Sequence, residues 1–212
     1  MKSVIIGAGT YGEVYLAFLR QADVDVIGFI DDNPILQGTI IKGVPVLGTT
    51  SILSELKQKY SVEAIYCPIG DTRKRLSFLE TARSMGYKTP NFIHTHALIG
   101  PEVTIADEGV YILQATQIMP YVKIDRDVMI SGGSNIIHHS HIKKGVFISN
   151  GVNLGASVIV DECTFIGMGA TIMTGVRRIG KDCLIGAGAV VIGDVIDRAV
   201  MAGVPAKCLK FK

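Results

Sequence analysis

Between residues 99 and 191 aliphatic side chains recur at every sixth position. Ile112, Ile118, Ile124, Ile130, Ile136, Ile142, Ile148, Leu154, Val160, Ile166 and Ile172 follow one another at that spacing without a miss. Ile99 and Ile105 precede the run, and Ile179, Ile185 and Val191 continue it. The steps from Ile105 to Ile112 and from Ile172 to Ile179 are each one residue too long. A period of six is neither the two of a simple strand nor the 3.6 of a helix. It is the hexapeptide pattern of a parallel β-helix, in which each hexad supplies one short strand and a turn. Three hexads then close one triangular coil, and the every-sixth aliphatics stack inward as a continuous core. Small residues and turn formers fill the space between them, as in GASVIVDECTFIGMGATIMTG.

Residues 1–94 have a different texture, which sets a domain boundary between residues 94 and 95. Ser3–Gly7 reads as an apolar strand running into a glycine turn, and Tyr11–Arg20 carries apolar residues at helical spacing. Asp25–Ile30 reads as a second strand, ending in Asp31-Asp32-Asn33. Thr50–Lys59 is expected to be a helix capped by Thr50 or Ser51, Ala64–Ile69 a third buried strand and Arg73–Met85 a third helix. Strands alternating with helices predict a small parallel sheet. The fold class is therefore α/β followed by β. Gly7-Ala8-Gly9-Thr10-Tyr11-Gly12 fits GxGxxG between a strand and a helix, with Asp31 further on. Such a turn aims backbone N–H groups and a helix N-terminus at phosphate. It does not distinguish the pyrophosphate of a dinucleotide from that of a nucleotide-sugar, and no second domain offers a hydride acceptor.

Composition removes several alternatives. With 21 Lys+Arg against 19 Asp+Glu the chain has no basic footprint for nucleic acid. No apolar run reaches the roughly 18–20 residues that cross a bilayer, and the N-terminus does not read as a signal peptide. Cys67, Cys163, Cys183 and Cys208 are widely spaced, with no CxxC pair. Four reduced, mostly buried thiols in a cytoplasmic protein are expected.

The hexad repeats, the closing Gly203-Val204-Pro205-Ala206-Lys207 and the opening GAG…FIDDN together resemble the bacterial sugar acyltransferases of the sialic-acid O-acetyltransferase type. The nucleotide-sugar N-acetyltransferases of the bacillosamine and perosamine pathways belong to that group. The resemblance covers nearly the whole chain. It implies a Rossmann-like N-terminal domain that holds a nucleotide-sugar, here 1–94, and a left-handed β-helix that binds acetyl-CoA, here 95–212 with its C-terminal tail. It also implies a homotrimer with active sites between neighbouring β-helices, working in surface-glycan biosynthesis. The left hand comes from the resemblance, since the general crossover preference is right-handed.

Five histidines are present, three of them in Asn135-Ile136-Ile137-His138-His139-Ser140-His141-Ile142. His138 stands two residues past an inward aliphatic, on the outside of the coil. Acyl transfer from a thioester needs a base that removes a proton as the new bond forms, and imidazole suits that task near neutral pH. The resemblance puts the catalytic histidine on His138 and places His139 where relatives carry an acid. A second imidazole supplies no negative charge to raise the basicity of the first.

The resemblance also implies that Gly9, Thr10, Tyr11, Asp31, Asp32 and Gly70 bind the nucleotide-sugar. Tyr11 stands where relatives usually have His. Phe147, Ala156, Met168, Gly186, Ala187 and Lys207 are implied at the acetyl-CoA side, with the Ala156 N–H as an oxyanion donor. Phe147 also replaces a histidine of the relatives, and either packs on the pantetheine arm or wedges a trimer interface. Arg177-Arg178 would form a basic bulge, open to CoA phosphates or to solvent.

The expected reaction is acetyl transfer to the amine of a nucleotide-linked amino sugar, first among them a UDP-4-amino-4,6-dideoxyhexose. Transfer to a hydroxyl of a sialic acid uses the same base and is the alternative. A zinc site including His138 and His141, as in β-helical carbonic anhydrases, lacks an evident third ligand, so no metal is expected. A non-enzymatic trimerising scaffold is the remaining reading.

Overall fold

In the computed structural model, which describes residues 1–212, strand β1 (Lys2–Ile6) is buried over its last four residues. It leads through the glycine turn into helix α1 (Thr10–Gln21), then strand β2 (Asp25–Ile30). A hairpin follows, β3 (Ile40–Ile41) and β4 (Val44–Gly48). Helix α2 (Leu56–Tyr60), strand β5 (Ala64–Tyr66) and helix α3 (Thr72–Ser84) complete the α/β part. The sheet order is β3-β4-β2-β1-β5, parallel except for the antiparallel hairpin. The chain therefore steps from β1 to β2 on one side and to β5 on the other. Such a reversal opens a crevice beyond the carboxyl end of β1, the usual ligand position in an open α/β sheet. Val4, Ile6, Ile30, Leu56, Ile65 and Leu79 form the core beneath it.

The expected helix over Thr50–Lys59 is divided. A 3₁₀ turn covers Thr50–Ser54, and α2 starts only at Leu56. Thr50 does not cap a helix, because its hydroxyl and its N–H both donate to Asp32 Oδ1 at 2.8 Å. The third strand is paired only over Ala64–Tyr66, and Cys67–Ile69 continue it toward the crevice. The hairpin was not anticipated. Lys42 and Gly43 both have positive φ, 48° and 78°, which suits a two-residue turn between right-twisted strands.

Two compact units are present, Met1–Pro90 and Asn91–Lys212. The second consists of two-residue strands from Phe92–Ile93 to Val190–Val191, each ending on an every-sixth aliphatic. These strands build three parallel sheets, so a coil in cross-section is a triangle. Core residue lies over core residue, as in Ile118↔Ile136, Ile142↔Val160 and Ile148↔Ile166. At the second long step Ile159 pairs with Arg178 and Val160 with Ile179, so the extra residue sits in the turn and the register survives.

The turns follow a rule of their own. The third residue after each core position takes the left-handed conformation, from Ala115, Tyr121, Asp127 and Gly133 through His139 and Gly145 to Gly151, Ser157, Cys163 and Gly169. Their φ values run from 55° to 71°. Buried hydroxyls fill a second inward position. Ser134 Oγ donates to the Ser149 carbonyl, Ser140 Oγ to that of Gly155 and Thr164 Oγ1 to that of Gly180. Each hydroxyl so satisfied links one coil to the next without leaving a polar group stranded in the core. Ala199–Ala202 extends one sheet and pairs antiparallel with Lys207–Phe211. No helix is long and apolar enough to cross a membrane.

Candidate active site

In the α/β unit, Gly9, Thr10, Tyr11, Asp31, Asp32 and Gly70 line one cleft of about 480 Å³. The turn that forms its floor is set by close backbone packing. A Cβ on Gly12 would lie 2.0 Å from the Gly7 carbonyl oxygen, and Gly7 itself has φ 99°. The Ala8 N–H donates to Asp31 Oδ2 at 2.7 Å, and the Asn33 N–H to Asp31 Oδ1 at 2.8 Å. Asp31 thus ties the glycine turn to the end of β2, and Asp32 ties the same loop to Thr50. Gly9 occupies the N-cap of α1 with no side-chain cap, and the N-terminal turn of α1 lines the cleft.

Among the lining residues missed from the sequence, two carry polar side chains, Thr50 and Lys74. Thr50 looked like a helix cap, and Lys74 lay within an ordinary charged helix face. Asp71 caps α3 by accepting from the Arg73 and Lys74 N–H groups, which starts the helix beside the cleft. The fully buried Arg75 donates to the Ile69 carbonyl at 2.8 Å and fixes the loop before it. Lys74, exposed in the first turn of α3, brings a cation to the rim.

On the β-helix the histidines fall on one corner. His138 is half-buried and His139 exposed, with their Nδ1 atoms 3.1 Å apart and the rings at 89°. The Ala156 position lies one coil further, and the Ser157 N–H donates to the His138 carbonyl at 3.0 Å. The Ala156 N–H donates to Thr174 Oγ1 at 3.2 Å, a long bond. Gly155 is obligatory there, since a Cβ would come within 2.5 Å of the Thr174 nitrogen. His141 does not join the pair. It lies on the adjoining strand, with Nε2 3.0 Å from Asp125 Oδ1.

The residues expected at the acetyl-CoA side do not form one patch on the chain. Met168, Gly186 and Ala187 share a corner, where the Gly188 N–H donates to the Met168 carbonyl. That corner is separated from the His138–Ala156 corner by the sheet containing Asn153–Leu154 and Thr171–Ile172. Phe147 is 6% exposed and packs edge-on against Phe165, ring centres 5.1 Å apart. Lys207 is exposed on the closing hairpin.

The expected basic bulge is only half free. Arg178 is paired with Asp161 and Asp197, whereas the Arg177 side chain stays exposed. The N–H groups of both arginines donate to Asp194 Oδ1 and hold its carboxyl below the usual range. Asp161 also receives Lys143 Nζ at 2.7 Å. Burial alone would push the Asp161 carboxyl up, but the hydrogen bonds from Lys143 and Arg178 outweigh it and hold the group below its ordinary value. No group of three or more His, Cys, Asp or Glu side chains is placed to hold a metal ion.

Known proteins share this fold. Residues 2–82 match the PglD N-terminal domain family. The GDP-perosamine N-acetyltransferase of Caulobacter crescentus, solved as a histidine-to-alanine variant in complex with CoA and GDP-perosamine, superposes with a TM-score of 0.92. It is 30% identical, over 99% of this chain and 97% of that one. The acetyltransferase domain of PglB from Neisseria gonorrhoeae gives a TM-score of 0.87 at 28% identity, over 98% and 99% of the two chains. A Staphylococcus aureus 2,3,4,5-tetrahydropyridine-2,6-dicarboxylate N-acetyltransferase is 47% identical over 53 residues. That match spans 25% of this chain and only 22% of the length of the curated relative. The fold is thus a small α/β domain followed by a left-handed parallel β-helix. The chain belongs to the sugar N-acetyltransferases of the hexapeptide-repeat acyltransferase superfamily.

Proposed function

We propose that this protein is an acetyl-CoA-dependent N-acetyltransferase acting on the amino group of a nucleotide-linked amino sugar. The observation that carries the reading is that both halves of the chemistry stand on one chain. A glycine-turn cleft with Asp31, Asp32 and Lys74 suits a nucleoside diphosphate, and a β-helix corner carries His138 above Gly155-Ala156. The whole-chain likeness to an enzyme bound to CoA and GDP-perosamine supports the same pairing. UDP is placed first among the nucleotides to be tested, and GDP, which the Caulobacter acceptor carries, second. The acceptor class is a 4-amino-4,6-dideoxyhexose.

In this reading residues 1–94 hold the nucleotide-sugar and residues 95–212 serve acetyl-CoA. The α1 N-terminus and Lys74 bind phosphate, and Asp31 keeps the turn in shape for it. His138 takes a proton from the attacking amine as its nitrogen bonds to the acyl carbon. The Ala156 N–H stabilises the negative charge that develops on the acyl oxygen once Thr174 releases it. Collapse of the resulting intermediate would break the acyl C–S bond, and the CoA thiolate would leave with the proton held on His138. Bound acetyl-CoA would supply the activated acyl group, with Met168, Gly186, Ala187, Phe147 and Lys207 along its length. The resemblance implies a homotrimer, and the placement of Met168, Gly186 and Ala187 on a different corner from His138 and Ala156 suits sites shared between neighbouring β-helices.

A thiol-release assay with acetyl-CoA tests the reading against UDP-, GDP- and dTDP-linked amino sugars, with CMP-sialic acid and free sialic acid as hydroxyl acceptors. Turnover with one amino sugar is expected. Turnover confined to a sialic acid would move the acceptor to oxygen. Silence throughout, in protein that binds no CoA, would overturn the enzyme. His138→Ala should lower kcat by about 10²–10⁴-fold while the protein stays folded, and wild-type turnover in that variant would remove His138 as the base.

A further inference from the structure

We infer that His139 and Tyr121 are positioning residues for His138, with the neutral His139 imidazole accepting the His138 Nδ1 proton and the Tyr121 ring holding His139 in place. The inference rests on the proposed acyl transfer for its kinetics, but not for its spectroscopy.

Two Nδ1 atoms 3.1 Å apart can form a hydrogen bond only if a single proton lies between them. The two neutral rings must therefore take opposite tautomers. If His139 donates, His138 carries its remaining proton on Nε2 and presents no lone pair outward. If His138 donates, its Nε2 is bare and able to take a proton from an amine, and His139 keeps its own proton on Nε2. Only the second arrangement makes His138 a base. When His138 Nε2 gains the amine's proton, the Nδ1–H···Nδ1 bond becomes charge-assisted and strengthens. The positive charge is then shared with a second imidazole, where relatives by resemblance place a carboxylate.

What holds His139 follows from the register. Tyr121 and His139 are the left-handed turn residues of successive coils on the same corner, with φ 65° and 60°. Identical backbone conformations one coil apart project their side chains in parallel. The ring centres stand 4.8 Å apart at 35°, which is the spacing of neighbouring strands. His is among the few side chains enriched in this conformation, so a ring there costs less than at most positions. His139 is exposed, and the tyrosine ring gives it one preferred face.

Long-range proton–nitrogen NMR spectra of the ligand-free full chain, at a pH where both rings are neutral, test the pairing directly. His138 should be protonated on Nδ1 and bare on Nε2, with His139 protonated on Nε2. The reverse pair of tautomers would overturn the inference whatever the enzyme acts on. In the thiol-release assay His139→Gly, which suits φ 60°, should lower kcat roughly 10- to 100-fold with KM for both substrates nearly unchanged. His139→Asp should restore most of the loss, because a carboxylate accepts the same proton. Wild-type kcat in His139→Gly, or no recovery in His139→Asp, would sink the role. Tyr121→Asn, also compatible with the turn, should cost several-fold in kcat, and an unchanged rate would remove Tyr121 from the proposal. If the parent chain transfers no acyl group at all, the acyl-transfer reading fails and the spectra alone decide the histidine pair.

Discussion

Asp31 shows how a single residue differs from its motif. As part of a glycine-turn fingerprint it is expected to meet the ligand, yet both its oxygens accept backbone N–H groups, from Ala8 and Asn33. Its first task is to hold the glycine turn. Hydrogen bonds to a charged group are worth about 1.5–3 kcal/mol, so Asp31→Ala should weaken nucleotide-sugar binding by roughly 10- to 100-fold. Isothermal titration checks this, and unchanged affinity would mean that the turn holds itself. The carboxylate was legible in the sequence. Its partners were not, because a hydrogen bond between residues 8 and 31 depends on strand register. Thr50 failed for the same reason. A threonine before an apolar stretch is a good cap candidate, but Asp32 is the stronger acceptor and draws both its hydroxyl and its N–H.

At the scale of elements, the coil is what the hexad dictates, and its tolerance is narrow. A Cβ on Gly155 would lie 2.5 Å from the Thr174 nitrogen and 2.7 Å from the Met173 carbonyl carbon. All the atoms it would meet are backbone of the next coil, which leaves no flexible group to yield. Gly155→Ala should therefore lower stability by about 1–3 kcal/mol, and it should cut transfer activity further by displacing the Ala156 N–H. Thermal unfolding and kcat on the same sample separate the two effects.

The charge ladder along another corner gives a pH dependence. Asp161 has its folded value depressed, so its contribution is complete above the ordinary carboxylate range, near 3.9, and is lost as pH falls through the depressed value. Lys143, which shares the interaction, has its value raised chiefly by the hydrogen bond to Asp161, so the same contribution fades as pH rises through that raised value. The Tm difference between the parent and Asp161→Asn should be largest between these limits and shrink as pH falls below about 4. A difference that stays constant to pH 2 would show that the pair contributes by packing alone.

For the whole molecule, the placement of the expected acetyl-CoA residues has the clearest consequence. Met168, Gly186 and Ala187 occupy one corner of the triangle, and His138 and Ala156 another. In the proposed homotrimer, neighbouring copies set corner to corner would bring these two corners together. Apolar side chains left open on the β-helix, among them Ile159, Met173 and Ile192, give such a contact area to bury. Sedimentation equilibrium should return three times the chain mass of 22.7 kDa. A monomer retaining full activity would overturn the shared site.

The architecture follows from the order of the residues. An every-sixth aliphatic admits one way of stacking, so strand positions, inward faces and coil length are all readable from the residues. The α/β order and the glycine turn are readable too, because they rest on local periodicity, on the positive φ of Gly7 and on the close approach that only glycine allows at Gly12. What each polar side chain faces is set by the folded backbone. The β3–β4 hairpin, the Asp32–Thr50 tie, the stack of Tyr121 on His139 and the pairing of Asp161 with Lys143 and Arg178 join residues brought together by register. Periodicity is a property of neighbours in sequence and survives in one dimension. A hydrogen bond or ring contact needs two groups placed within a fraction of an ångström, and only the folded backbone fixes that distance.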